Sequence, residues 1–196
     1  MFYQCQPIVE LEDVRSVLEF GGGRDLTKSI CRYYGINHET VDVSDVFFPD
    51  YISSISEFPN SELKYDLVCS FQCLEHNKFE ELSDLVPKML QHSRKYLYIS
   101  IPYNGAWFSL FMNIRFPKVN FKINKVLTLC GFGARKTDLE KYNKYPPEKK
   151  YDPHWWEAGR PGFSKIKLIR YFEKFGLKII NSKHNPAYPH HWFLLF

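Results

Sequence analysis

Three consecutive glycines, Gly21, Gly22 and Gly23, interrupt a short apolar run at residues 15–20, and no other feature of the sequence limits the fold so strongly. An apolar run of that length cut off by glycine predicts a buried strand ending in a tight turn. Beyond the turn, Leu26, Ile30, Tyr33 and Tyr34 recur at helical spacing, and Gly35 follows as a helix C-terminus favours. Residues 38–43 then read as a second strand. Strand, glycine turn, helix and strand within about 30 residues have the size of a βαβ unit.

The same alternation continues. Residues 65–70 and 96–101 predict two further strands, with a helix over 79–92 between them. A second long helix is expected over 161–176. Residues 177–180 and 191–196 read as closing strands, an antiparallel pair at one edge. Strands alternating with helices imply a mostly parallel sheet covered on both faces, that is, a doubly wound α/β fold. Residues 103–151 break the pattern, because a βα connection is usually a few residues long. This stretch carries Trp107, Phe108, Phe111, Phe116 and Phe121, too aromatic for a disordered linker, so it reads as a cap inserted after the strand at 96–101. One domain spanning 1–196, with 103–151 as its insertion, is the expected organisation.

Charge is divided unevenly along the chain. Residues 1–100 hold 9 basic and 16 acidic side chains, a balance of −7. Residues 101–150 balance at +7 and 151–196 at +4. A field of one sign concentrates ligands of the other, so the basic half favours an anionic small-molecule acceptor. The sequence pI of about 8.7 falls short of a nucleic-acid footprint, and no nucleic-acid partner is expected. No apolar run is long enough to span a membrane and no leader pattern opens the chain, so a cytoplasmic protein is expected. The five cysteines are scattered, with no CxxC pair, which fits buried reduced thiols. Homo-oligomerisation stays open.

A nucleoside cofactor needs backbone that it can approach closely and an acid for its ribose. Gly21–Gly23 offer the first. Asp42, 23 residues after Glu19 and at the tip of the second predicted strand, offers the second. A dinucleotide fingerprint would want a third glycine where Leu26 stands. Glu19 and Asp25 beside the turn suit a cationic sulfonium better than a pyrophosphate, which leaves a nicotinamide cofactor as the weaker alternative.

On these residues the chain resembles the class I S-adenosylmethionine-dependent methyltransferases. Val17-Leu-Glu-Phe-Gly-Gly-Gly-Arg-Asp25 is similar to their "VLDIGxGxG" signature, Thr40-Val-Asp-Val-Ser44 to "GVDIS", and residues 65–76, ending Leu74-Glu75-His76, to "FDLVxxxxVLEH". His154-Trp155-Trp156-Glu157 and the C-terminal residues 185–195 are similar to a bacterial subgroup without an assigned substrate. The resemblance implies a doubly wound, mostly parallel seven-stranded Rossmann-like sheet in which residues 98–102 belong to the fifth strand and the cap follows it, with S-adenosyl-L-methionine as cofactor and methyl transfer to a small molecule. It puts Glu19, Phe20 and Gly21–Gly23 beside the methionine part, Asp42 and Val43 at the ribose, Glu57 at the adenine amine, and Ser70 and Phe71 near the methionine moiety. His76 and His154 are the candidate bases. Trp107, Trp155 and Glu157 are the candidate acceptor contacts. His154 and Glu157 are one helical turn apart, but spacing reveals no third ligand, so no metal site is expected. The competing reading is a cofactor-binding scaffold or regulatory protein of the same fold that has lost turnover.

Overall fold

The computed structural model describes residues 2–22, 26–116, 119–129 and 154–196. Its main sheet is built from β1 (Ser16–Phe20), β2 (Asn37–Asp42), β3 (Tyr51–Ile52), β4 (Tyr65–Phe71), β5 (Ser93–Pro102), β8 (Asn181–His184) and β9 (His191–Leu195). The order across the sheet is β3-β2-β1-β4-β5-β9-β8. β1 to β5 run parallel, and β9 runs antiparallel to both β5 and β8. This is the doubly wound, mostly parallel sheet that the alternation predicts, with the seven strands that the resemblance implies; β3 is the one the alternation did not reveal.

Period-two alternation divides the core into two layers. Leu18, Phe20, Val68, Leu97, Ile99, Ile101, Trp192 and Leu194 face one side, with the helices α3 (Leu82–Gln91) and α4 (Lys165–Glu173). Val17, Leu67, Cys69, Tyr98, Phe193 and Leu195 face the other. There they meet α1 (Phe2–Glu10) through Ile8 and α2 (Leu26–Tyr33) through Cys31. Every residue of β4 is buried, as a strand covered on both faces must be. At the amino ends of the strands Asp66 clamps the sheet. One carboxylate oxygen accepts from the Arg15 amide (3.0 Å) and the Ser16 hydroxyl (3.2 Å), and the other from Arg94 (3.0 Å). That end is tied by structure, and the carboxyl ends remain for chemistry.

Two expectations change. The strand placed over 177–180 lies at Asn181–His184 instead. Leu177 and Ile179 pack against the core, and the ladder to β9 starts where the Ile180 amide donates to the Leu195 carbonyl (2.8 Å). The helix expected over 161–176 is limited to Lys165–Glu173, because Ser164 caps it by accepting from the Lys167 amide. After β5 the chain forms an antiparallel hairpin, β6 (Ala106–Phe116) and β7 (Val119–Leu129), outside the main sheet. It falls within the segment expected to be a cap; the rest of that segment, 130–151, lies outside the described residues. Among the described residues no helix is long and apolar enough to cross a membrane, and Cys5, Cys31, Cys69 and Cys73 are free thiols.

Candidate active site

The strand order reverses between β1 and β4: from β1 the chain moves outward to β2 and β3, then returns to β1's other side. In open α/β sheets a crevice opens at the carboxyl ends of the strands where that reversal occurs. A pocket of about 560 Å³ lies there, within the usual size range for small-molecule sites. Phe20 and Gly21 line it from the end of β1, Val41 to Ser44 from β2, Ser53 to Ile55 from beyond β3, and Gln72 and Cys73 from beyond β4. Phe47, His76 and Asn77 complete the wall.

Local conformations explain how the strand ends make this crevice. Gly21 has φ +78°, and a Cβ there would come within 2.8 Å of Cys73 Cβ and Sγ. Only glycine lets the β1 turn pass so close to the β4 turn. Gln72 is left-handed without being glycine (φ +53°) and is held by its amide on the Ser100 carbonyl (3.1 Å) and its side chain on the Ser100 hydroxyl (3.1 Å). Such backbone persists only where its surroundings over-determine it. Asp42 accepts from the Ser44 amide through one carboxylate oxygen (2.9 Å), which fixes the side chain and leaves its other oxygen for a ligand.

Of the residues the sequence nominates for the cofactor, Phe20, Gly21, Asp42 and Val43 meet at this pocket. Others do not. Glu19 is buried beneath it, accepting from the Thr27 hydroxyl (3.1 Å) and paired with His38 (3.0 Å), so it ties β1 to α2 and β2. Gly22 faces Thr40, and Gly23 lies outside the described residues. Ser70 is wholly buried, and Phe71 packs edge-on against Tyr98 on the far face of the sheet. Glu57 is exposed and bonded to the Ser54 hydroxyl (2.8 Å), closing its own turn. Sequence reading missed Gln72, Cys73, Ser53 and Phe47. Their common signal is position: each follows a predicted strand's carboxyl end or the connection after it.

The two nominated histidines come together although 78 positions separate them. Their rings meet edge to face with centroids 4.9 Å apart. A short 3-10 turn, Leu74–His76, carries one, and the chain returning from the hairpin brings the other. The Trp155 amide holds the two segments together by donating to the Glu75 carbonyl (2.8 Å). His154 Nδ1 bonds to Glu157 (2.6 Å). Glu157 is buried and also accepts from Asn104 (2.7 Å) and Arg160 (2.5 Å). Burial acts upward on its carboxyl, but the bonds from His154, Asn104 and Arg160 outweigh it and hold it at about 2. The Glu157 bond raises the His154 imidazole above its ordinary value, against burial.

Glu75 is the residue the sequence reading passed over, although it stands inside the Leu-Glu-His element. It is completely buried, neither carboxylate oxygen has a hydrogen-bond partner among the described residues, and burial pushes its carboxyl up to about 7. Trp155 is half-exposed beside this cluster, with the Lys78 ammonium 5.5 Å from its ring. Trp107 is not brought to the pocket; it sits on the hairpin against His190.

No curated protein matches the chain by sequence. Among solved structures, the methyltransferase CcbJ from Streptomyces caelestis superposes with a TM-score of 0.59 at 12% identity, covering 97% of this chain and 92% of its own. The 1,6-didemethyltoxoflavin-N1-methyltransferase from Burkholderia thailandensis, solved with 1,6-didemethyltoxoflavin and S-adenosylhomocysteine, gives 0.58 at 12%, covering 95% of this chain and 72% of its own. Magnesium protoporphyrin IX methyltransferase from Synechocystis PCC 6803, solved with S-adenosylhomocysteine, gives 0.56 at 13%, covering 98% and 78%. At such identities the likeness is one of fold. A family model described as "Methyltransferase domain" matches residues 4–182, and the chain belongs to that methyltransferase family.

Proposed function

We propose that this protein transfers a methyl group from S-adenosyl-L-methionine to a small anionic molecule, with the pocket at the β1/β4 reversal as the cofactor site. The observation that carries the reading is the convergence of Gly21 and Asp42 on that pocket, where the β1 turn is bare of side chain and an anchored carboxylate keeps one oxygen for ligand. The residues fit the group. Asp42 would accept from the ribose hydroxyls, and Val41, Val43, Phe47 and Ile55 offer apolar surface to a purine. Glu19, Gly22, Ser70 and Phe71 would act from beneath, by holding the strand ends in register. Glu57, in the turn Ser54 begins, remains a candidate for the adenine side.

When bound, the cofactor supplies a methyl group that the sulfonium has already activated. The chain then contributes proximity and alignment. His76 lines the pocket and touches His154, so the acceptor would approach from that side, with the pair positioned to take its proton. Glu157 fixes the His154 ring, and Trp155 would form the acceptor wall. Residues 103–151 would act as an inserted cap within one domain, carrying Trp107 and the excess basic charge that favours an anion.

Calorimetric titration tests the cofactor. S-adenosylhomocysteine should bind and NADH should give no heat; the reverse pattern would end the methyltransferase reading. Transfer of labelled methyl to a panel of carboxylated and phosphorylated small molecules tests turnover. Cofactor binding without product from any acceptor would favour the non-catalytic scaffold.

A further inference from the structure

We propose that Glu75, His76 and His154 form a binding site for a first-row divalent metal ion, set against the wall of the cofactor pocket. The ligand atoms of these three side chains lie within 4.8 Å of one another. Bond lengths of about 2.0–2.1 Å to zinc bring tetrahedral ligands to about 3.3 Å apart, so modest side-chain rotation closes the cluster onto one ion. Two imidazoles and a carboxylate select zinc, cobalt, iron or nickel over magnesium and calcium, which prefer all-oxygen shells.

Three features make this more than a meeting of polar groups. Glu75 is 0% exposed, and among the described residues no hydrogen bond satisfies either carboxylate oxygen. A buried ionised carboxylate without a partner is costly, and a coordinated cation removes that cost. His154 has Nδ1 bonded to Glu157 at 2.6 Å, which leaves Nε2 as its free lone pair. Metal-ligating histidines almost always give their other nitrogen to such a carboxylate. Glu157 is itself held by Asn104 and Arg160, so the arrangement continues a further shell outward.

Three protein ligands leave a coordination position open, and His76 puts the cluster at the pocket wall. One carboxylate and two neutral imidazoles leave the bound dication a net positive charge. An acceptor with a hydroxyl, phenol or carboxylate oxygen could complete the shell and be held for alkylation. This role for the ion rests on the methyl-transfer reading, whereas the binding site does not, and it recasts the histidine pair as acting on the acceptor through the cation.

The test uses the full chain, stripped with chelator and titrated with Co²⁺ and then Zn²⁺ by calorimetry and visible absorption. One equivalent should bind, with a cobalt ligand-field band that Zn²⁺ abolishes. Glu75→Gln is isosteric and removes a buried charge, so it should keep the fold by circular dichroism and lose the band. His154→Asn should do the same. Glu157→Gln, which alters only the outer partner, should weaken metal affinity by about 10- to 100-fold. Failure of the parent protein to bind one equivalent would overturn the site, as would binding that Glu75→Gln and His154→Asn leave unchanged. S-adenosylhomocysteine affinity, measured on the same samples, separates the two proposals: metal bound without cofactor binding would defeat the methyltransferase reading alone, and cofactor bound without metal would defeat this one alone.

Discussion

Replacing Asp42 by asparagine isolates the contribution of one carboxylate to cofactor binding. The Ser44 amide donates to one Asp42 oxygen at 2.9 Å, and an asparagine carbonyl can accept the same bond, so the turn after β2 survives the exchange. What changes is the second oxygen, which becomes an amide nitrogen that cannot accept from a ribose hydroxyl. A hydrogen bond to a charged group is worth about 1.5–3 kcal/mol. Asp42 is only partly buried, so water screens it and the lower part of that range applies, about 1.5–2 kcal/mol. At 1.36 kcal/mol per tenfold, S-adenosylhomocysteine affinity should fall by roughly 10- to 30-fold. Calorimetry on parent and variant measures this, and a urea titration should show stability unchanged within about 0.5 kcal/mol. An affinity that does not move would mean that the acid points at no ligand and that the pocket serves something else. A large loss of stability would mean that the carboxylate holds the β2 turn rather than the ribose.

Gly21→Ala should destabilise the fold by about 2–4 kcal/mol in urea unfolding, since a left-handed residue with a Cβ costs about 1–2 kcal/mol and Cys73 stands 2.8 Å from the new atom; an unchanged midpoint would refute the close packing of the two turns. His184 should make stability fall as pH drops from about 6.5 to about 4. Burial, then the Lys165 ammonium, depress its imidazole to about 4, so the unfolded chain binds the extra proton first; the loss should approach about 3 kcal/mol and vanish in His184→Gln. Neutral His184 donates Nδ1–H to the Pro189 carbonyl and accepts from Lys165, with Tyr103 and Trp192 against its ring. Replacing residues 106–150 by a short Gly/Ser link should leave S-adenosylhomocysteine affinity largely intact and abolish methyl transfer; loss of folding would show that the segment belongs to the core. Affinity for an anionic acceptor should fall as salt rises, and an affinity indifferent to ionic strength would refute the charge argument.

The parts of the fold readable in the sequence are those whose signal is local. β1, its glycine turn, α2 and β2 follow in order along the chain, and each carries its own periodicity or punctuation. α1 was not readable. Pro7 stands inside it, and it is secured from far away, by Ile8 in the core and by the Tyr98 hydroxyl donating to the Tyr3 carbonyl. The hairpin was only weakly readable: Phe108, Leu110, Met112 and Ile114 are apolar at alternate positions, but Trp107 and Phe111 stand among the intervening Ser109, Asn113 and Arg115 and blur the period-two signal. Within the site, Asp42 and the glycines could be found because strand ends announce themselves. Glu19 could not be separated from a ligand contact, because its use by Thr27 and His38 depends on two other elements closing over it. Glu75 was hidden for the same reason, since its isolation from solvent is completed by a segment that returns about 80 residues later.

That return has a consequence for how the chemistry is divided. The acidic first half of the chain builds the pocket at the β1/β4 reversal, and the basic second half brings His154 against His76 at its wall. A cationic sulfonium and an anionic acceptor would each be drawn to the half of opposite charge, so the two charge distributions sort the two ligands before any specific contact forms. The separation also predicts how substitutions partition. Changes at Asp42 should act on cofactor affinity, and changes at Glu75 or His154 should leave it in place while removing what acts on the acceptor. Gly21 lies where the β1 turn meets the β4 turn, because Cys73 presses on it just before the 3-10 turn that carries Glu75 and His76. A side chain there would push the β4 turn away, so on the methyl-transfer reading one substitution at the glycine turn should disturb cofactor binding and the Glu75–His76–His154 cluster together.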